Sequence, residues 1–151
     1  MSTPLNRATR ENPLKILLIE DSQTDALLLS AKLQQVTEFS FVMEHVATLA
    51  KGLEKTDGPA YDAIILDLAL PDSFGIGTYQ AVRNVVDEQI PIIIVTGNDD
   101  RDLVSDALKM GADNYLVKDT FDGNRIAVAI LSSIKNRSSK LDTAQQRILE
   151  I

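Results

Sequence analysis

Tyr61-Asp62-Ala63-Ile64-Ile65-Leu66-Asp67 and Pro91-Ile92-Ile93-Ile94-Val95-Thr96-Gly97 are the stretches that decide the fold. Each holds a strand-length apolar run, and neither alternates with polar residues as a half-exposed strand would. Continuous apolar runs of this length belong to parallel strands that helices cover on both faces. Working outward, β-forming runs recur at Leu14–Ile19, Phe39–Val46, Tyr61–Leu66, Ile92–Val95 and Tyr115–Val117. Helical patterns fill the intervals, over Thr24–Val36, Thr48–Lys55, Thr78–Val86, Asp100–Met110 and from Asn124 onward. Strands alternating with helices require right-handed crossovers, so a three-layer α/β domain around a parallel sheet is expected. Asp57-Gly58-Pro59 stops the second helix, Pro91 opens the fourth strand, and Gly111 marks the end of the fourth helix.

At 151 residues the chain suits one domain, and 44% hydrophobic with 25% charged residues are globular values. The net charge of −7 opposes non-specific attraction to nucleic acid or anionic lipid, so neither is expected as a partner. With no cysteine there is no disulfide framework, thiol catalysis or zinc-thiolate site. No apolar stretch approaches the roughly 20 residues that span a bilayer. The opening Met1–Pro13 is polar, contains Pro4 and Pro13 and lacks a secretory signal's apolar centre. It reads as a flexible tail over 1–13, ahead of a domain over 14–137 and a helical extension or linker over 138–151, with a cytoplasmic setting.

Ligands of an open parallel sheet bind outside the carboxyl ends of its strands, so the residues that follow each run belong together. The first run leads into Glu20-Asp21, the third into Asp67, the fourth into Thr96-Gly97 and the fifth into Lys118. Three carboxylates at one rim repel each other unless a cation neutralises them. Oxygen donors without His or Cys favour Mg²⁺, which bridges readily to phosphate oxygens. Phosphoryl transfer asks for positioning and neutralisation, which a metal, the Lys118 ammonium and the Thr96 hydroxyl would supply. Asp67 is then the candidate nucleophile, attacking phosphorus to form an aspartyl phosphate.

Ile19-Glu20-Asp21, Ile65-Leu66-Asp67-Leu68-Ala69-Leu70-Pro71-Asp72 with the later Gly75, Val95-Thr96-Gly97 and Gly111-Ala112-Asp113-Asn114-Tyr115-Leu116-Val117-Lys118 resemble the receiver domain of bacterial two-component response regulators. The likeness runs from about Leu14 to Arg137. It implies a flavodoxin-like, doubly wound fold of strand order 2-1-3-4-5, with helices on both faces. It also implies phosphorylation of Asp67 by a histidine kinase or histidine phosphotransfer protein, with Mg²⁺ held by Glu20, Asp21, Asp67 and the Ala69 carbonyl. By the same resemblance Thr96 and Lys118 bond the acyl phosphate, and Tyr115 changes rotamer as Thr96 moves. The readout is then the surface of the fourth helix, fifth strand and fifth helix, presented to a downstream output domain or protein. Such a module is no turnover enzyme, since it catalyses only its own phosphorylation and dephosphorylation. Two departures stand out. Asp119 follows Lys118 where the family has a cis proline, and Ala69 and Asn98 fill the positions that tune hydrolysis.

Taken singly, each residue has a plainer reading. Asp67 resembles a turn-former, Glu20 and Asp21 complement a helix dipole, Lys118 is a solvated cation and Tyr115 a strand aromatic. Their joint spacing favours the chemical reading. His45, near the end of the second strand, is read as structural, and Gly75-Ile76-Gly77 as a loop rather than a dinucleotide fingerprint. A Mg²⁺-dependent phosphatase with an aspartyl intermediate would need a second carboxylate where Ala69 stands. A flavodoxin would need an amide-rich loop where Glu20-Asp21 stand, and an unphosphorylated scaffold would not need Asp67, Thr96 and Lys118 together. In the last helix Ala127, Ile130, Ile134, Arg137, Leu141, Ala144, Ile148 and Ile151 recur at spacings of three and four. This seam suggests a homodimer or a link to an output domain, as in a fragment of a larger signalling protein.

Overall fold

The computed structural model describes residues 12–37, 39–58, 60–97, 100–118 and 122–149, with only the helical backbone from 139 onward. Strands β1 (Leu14–Ile19), β2 (Phe41–Val46) and β3 (Ala63–Asp67) come first, followed by a short hairpin of β4 (Ala69–Leu70) and β5 (Ser73–Phe74). Strands β6 (Ile92–Thr96) and β7 (Asn114–Val117) complete the set. The helices are α1 (Gln23–Gln34), α2 (Leu49–Lys55), α3 (Ile76–Val85), α4 (Arg101–Lys109) and α5 (Gly123–Leu149). The long strands form one parallel sheet of order β2-β1-β3-β6-β7, which is the expected 2-1-3-4-5 when the hairpin is set aside.

Successive strand residues point to opposite faces, and both faces here are covered. Leu14, Ile16, Leu18, Ile65 and Ile93 pack with Leu29 and Leu33 of α1 and Ile126 and Ile130 of α5. Leu17, Ile19, Ile64, Leu66, Ile92 and Ile94 pack with Tyr79 and Val82 of α3 and Ala107 of α4. That double cover explains why the central runs carry no polar alternation. Each such Leu or Ile contributes about 1.5–3 kcal/mol relative to an exposed position.

Several boundaries differ from the sequence expectation for local reasons. Phe39 precedes β2 yet is buried against the first core, its ring centroid 5.7 Å from that of Phe41. Tyr61 and Asp62 precede β3, where Asp62 extends the contact with β1 by donating its N–H to the Lys15 carbonyl at 2.7 Å and accepting the Lys15 N–H on its carboxylate at 2.8 Å. Ser22 caps α1 and Thr48 caps α2 through their hydroxyls. Ile76 and Gly77, expected in a loop, form the first turn of α3. Gly75, at φ +87°, turns the chain there, and its carbonyl accepts the Thr78 N–H at 3.0 Å. Gly111, at φ +112°, ends α4 as expected.

Helix α5 spends the early seam positions inside the domain. Ala127, Ile130 and Ile134 are buried in the first core. Arg137 forms a two-pronged pair with Asp113 (Nε–Oδ1 3.0 Å, Nη2–Oδ2 2.8 Å) and donates to the Gly111 carbonyl. The side chains of Leu141, Ala144, Ile148 and Ile151 lie outside the described residues, as do Asn98, Asp119 and residues 1–11 of the expected tail. Among the described residues no helix is long and apolar enough to cross a membrane.

Candidate functional site

The strand register brings the selected residues to one rim. β1 pairs with β3 up to Ile19 and Leu66, β3 with β6 up to Asp67 and Val95, and β6 with β7 up to Thr96 and Val117. Asp67 and Thr96 therefore end adjacent strands, Glu20 and Lys118 follow the ends of their neighbours, and the Lys118 N–H donates to the Thr96 carbonyl at 2.9 Å. The Lys118 ammonium donates to Asp67 Oδ2 at 2.9 Å, to Glu20 Oε1 at 3.1 Å and to Asp25 Oδ2 at 3.1 Å, and it lies 2.9 Å from Glu20 Oε2. Its acceptors are unequally buried: the Glu20 side chain is 2% exposed, Asp67 7% and Asp25 39%.

Local structure fixes each group. The Ser22 N–H donates to Glu20 Oε1 at 3.0 Å while the Ser22 hydroxyl accepts from the Asp25 N–H, so one turn orients both acids. The Ala69 N–H donates to Asp67 Oδ1 at 2.9 Å, leaving Oδ2 to the ammonium. The loop beyond is anchored at both ends. The Gly75 N–H donates to the Leu68 carbonyl, and the Asp72 carboxylate accepts the N–H groups of Leu49 and Ala50 at the start of α2. Those two backbone bonds hold the Asp72 carboxyl below its usual range.

Glu20, Asp21 and Asp67 each place one carboxylate oxygen within 4.8 Å of the others. Burial pushes the Glu20 carboxyl up from 4.5 to about 7; the Asp67 charge adds to this, while the bonds from Lys118 and Ser22 oppose it. Burial by itself would lower the Lys118 ammonium, but its bonds to Asp67 and Glu20 outweigh that and raise it, so it stays charged. The ammonium thus contacts three carboxylates, those of Glu20, Asp25 and Asp67, and Asp21 adds a fourth to the rim. An oxygen-only set with surplus negative charge fits a hard divalent cation such as Mg²⁺.

The structure gathers Glu20, Asp21, Asp67 and Lys118 as the sequence led one to expect. Thr96 is buried beside them, its hydroxyl donating to the Gly97 carbonyl at 3.1 Å, with Asp100 Oδ2 farther off at 3.5 Å. Tyr115 is half-exposed on β7, one pleat below Thr96 in the register, opposite Ile94. His45 has a structural bond, its Nε2 lying 2.6 Å from the Glu20 carbonyl oxygen. Asp25 escaped the sequence reading, because an acid in a helix's first turn looks like a partner for the helix dipole. Its only signal was its place one turn beyond the Glu20-Asp21 pair.

A family model described as the response regulator receiver domain matches residues 16–131. The transcriptional activator protein IrlR of Burkholderia pseudomallei (strain 1026b) is 30% identical over 138 residues, which cover 91% of this chain and 57% of that protein. The response regulator ArlR of Staphylococcus saprophyticus is 32% identical over 126 residues, 83% of this chain and 54% of that one. The chain thus spans about half the length of the curated relatives it matches. A solved response regulator receiver domain protein from Clostridium thermocellum superposes with a TM-score of 0.69 at 27% identity, covering 85% of this chain and 98% of that chain.

Proposed function

The chain belongs to the family of response regulator receiver domains of two-component systems, and from that premise we propose that it accepts a phosphoryl group on Asp67 from a phosphohistidine of a kinase or phosphotransfer partner. The observation that carries this reading is the contact of the partly buried Lys118 ammonium with Asp67 at 2.9 Å beside the Glu20-Asp21-Asp67 oxygen cluster.

The amide bond from Ala69 and the ion pair with Lys118 hold the Asp67 carboxylate in place, so an incoming phosphorus meets an oriented nucleophile. An Asp67 oxygen forms the new O–P bond as the P–N bond breaks, and the imidazole leaves with the electron pair. When bound by Glu20, Asp21, Asp67 and the Ala69 carbonyl, Mg²⁺ supplies positive charge for the phosphoryl oxygens. Lys118, 2.9 Å from Asp67, supplies a second positive group. The added phosphoryl group brings about 1.5 to 2 negative charges and three acceptors, which favours turning the Thr96 hydroxyl away from Gly97 toward the rim. Tyr115, half-exposed on the neighbouring strand, would follow that movement and alter the surface of α4, β7 and α5. The activity proposed is confined to the chain's own Asp67, and output passes to a separate domain or protein.

Incubation with a small phosphodonor and Mg²⁺, followed by intact-mass measurement, tests the reading. One phosphoryl adduct on the wild type, absent without Mg²⁺ and absent from Asp67→Asn, is expected. An unmodified wild type, or an equal adduct on Asp67→Asn, overturns it. Multiple turnover of a phosphomonoester would favour the phosphatase alternative instead.

A further inference from the structure

The rim holds one more carboxylate than the cation cluster includes. Asp25 lies 3.1 Å from Lys118 Nζ, whereas the oxygens gathered within 4.8 Å belong to Glu20, Asp21 and Asp67. Lys118 therefore has two kinds of acceptor: Glu20 and Asp67, which a divalent cation would also claim, and Asp25, which it would not. Two cations on the same oxygens compete, since like charges at short range repel strongly where water is scarce. There is also room for the ammonium to yield. A cleft of about 140 Å³ opens beside it, walled by Glu20, Asp25, Leu28, Lys32, Val95 and Lys118, while Asp21 and Asp67 take no part. Asp25 shares this space with Lys118 and Glu20, whereas Asp67, the nucleophile, does not border it.

Resting on the phosphoryl-acceptor reading, we propose that Asp25 is a positioning residue, the acceptor onto which Lys118 withdraws when a divalent cation takes Glu20 and Asp67. Asp25 then sets cation affinity through Lys118. Without the cation its contribution is one of three; with the cation bound it becomes the main partner of an ammonium whose other acceptors are engaged. Asp25 thus stabilises the loaded state more than the empty one. It also keeps Lys118 charged and close to Asp67 for the phosphoryl oxygens. A carboxylate acting only as a nearby negative charge would raise cation affinity whether or not Lys118 were present, and that difference is measurable.

Mn²⁺, titrated into the full chain by calorimetry, is the probe. Asp25→Asn is expected to weaken Mn²⁺ binding by roughly three- to thirtyfold, within the range of coupling between contacting groups, and Asp25→Glu to restore most of it. Lys118→Met removes the competing cation and tightens binding. Adding Asp25→Asn to Lys118→Met is expected to change the affinity by less than about twofold. Thermal melts of each variant confirm that it folds, which the exposure of Asp25 favours. Equal losses in both backgrounds, or no loss in Asp25→Asn, overturn the proposal. Failure of the wild type to bind Mn²⁺ saturably removes this inference and the metal part of the functional reading together. The donor-dependent mass shift reads the phosphoryl part separately: no adduct alongside intact Asp25–Lys118 coupling removes that part and leaves the cation exchange standing.

Discussion

Glu20 carries its proton up to about pH 7 in the fold, whereas in the unfolded chain it ionises near its ordinary 4.5. Between those values the folded state binds more protons than the unfolded one, so stability falls as pH rises through that window. Without divalent cations the contribution is fully present below about pH 4.5 and lost by about pH 7, a change on the order of 3 kcal/mol at most. Glu20→Gln keeps the shape and removes the titration, so its chemical-denaturation stability is expected to be flatter over the same window, in chelator-containing buffer. A wild type and variant with parallel pH profiles would contradict this. Asp67, Glu20, Asp21 and Lys118 were legible from residue type and position after strands, because a carboxylate cluster with one amine has few structural uses. Asp25 was not, since helix dipoles attract acids to the same place and sequence cannot say where a lysine far along the chain will reach.

The approach of α1 and α5 turns on Gly123, where an added Cβ would collide with the Lys32 carbonyl oxygen and crowd Val36. Alanine favours helix over glycine by up to about 1 kcal/mol, but the obstacle is backbone, so α1 and α5 must move apart. Gly123→Ala is expected to destabilise the domain by roughly 1–3 kcal/mol, the usual cost of overpacking, read as a lower urea midpoint with unchanged slope. A higher midpoint would show that the α1–α5 contact yields freely. At this scale β1 was read to the residue and the other long strands to within two, because burial on both faces leaves its mark on every position. The β4–β5 hairpin left none. Two-residue strands carry no periodicity, and it exists because Gly75 returns an N–H to the Leu68 carbonyl while Ser73 and Thr78 share a hydrogen bond between hydroxyls at 2.6 Å. The first turn of α3 was hidden for a related reason, since two glycines around Ile76 resemble a loop until the backbone turns at Gly75.

Across the whole molecule, fold and charge were legible from the alternation of runs and from a net charge of −7, but the use of the last helix was not. Its seam positions read as one repeating pattern, yet Ala127, Ile130 and Ile134 belong to the core and Arg137 to Asp113. Periodicity cannot tell an internal face from one offered to a second copy. Leu141, Ala144, Ile148 and Ile151 are what the pattern leaves beyond Arg137, fewer than the three or four heptads that a lasting coiled coil needs. Sedimentation is therefore expected to show weak self-association only at high protein concentration, abolished by truncation after Lys140. A tight dimer, or one that survives truncation, would place the interface elsewhere.

Asp113 grips Arg137 and also accepts the Ile92 N–H at the foot of β6. The final helix is thereby pinned at the pole of the sheet farthest from Asp67. Any body tethered past that helix hangs from the far pole and leaves the doorway to the phosphorylation rim clear for a docking donor. News of the modification must then descend the full height of the strands before it reaches the tether.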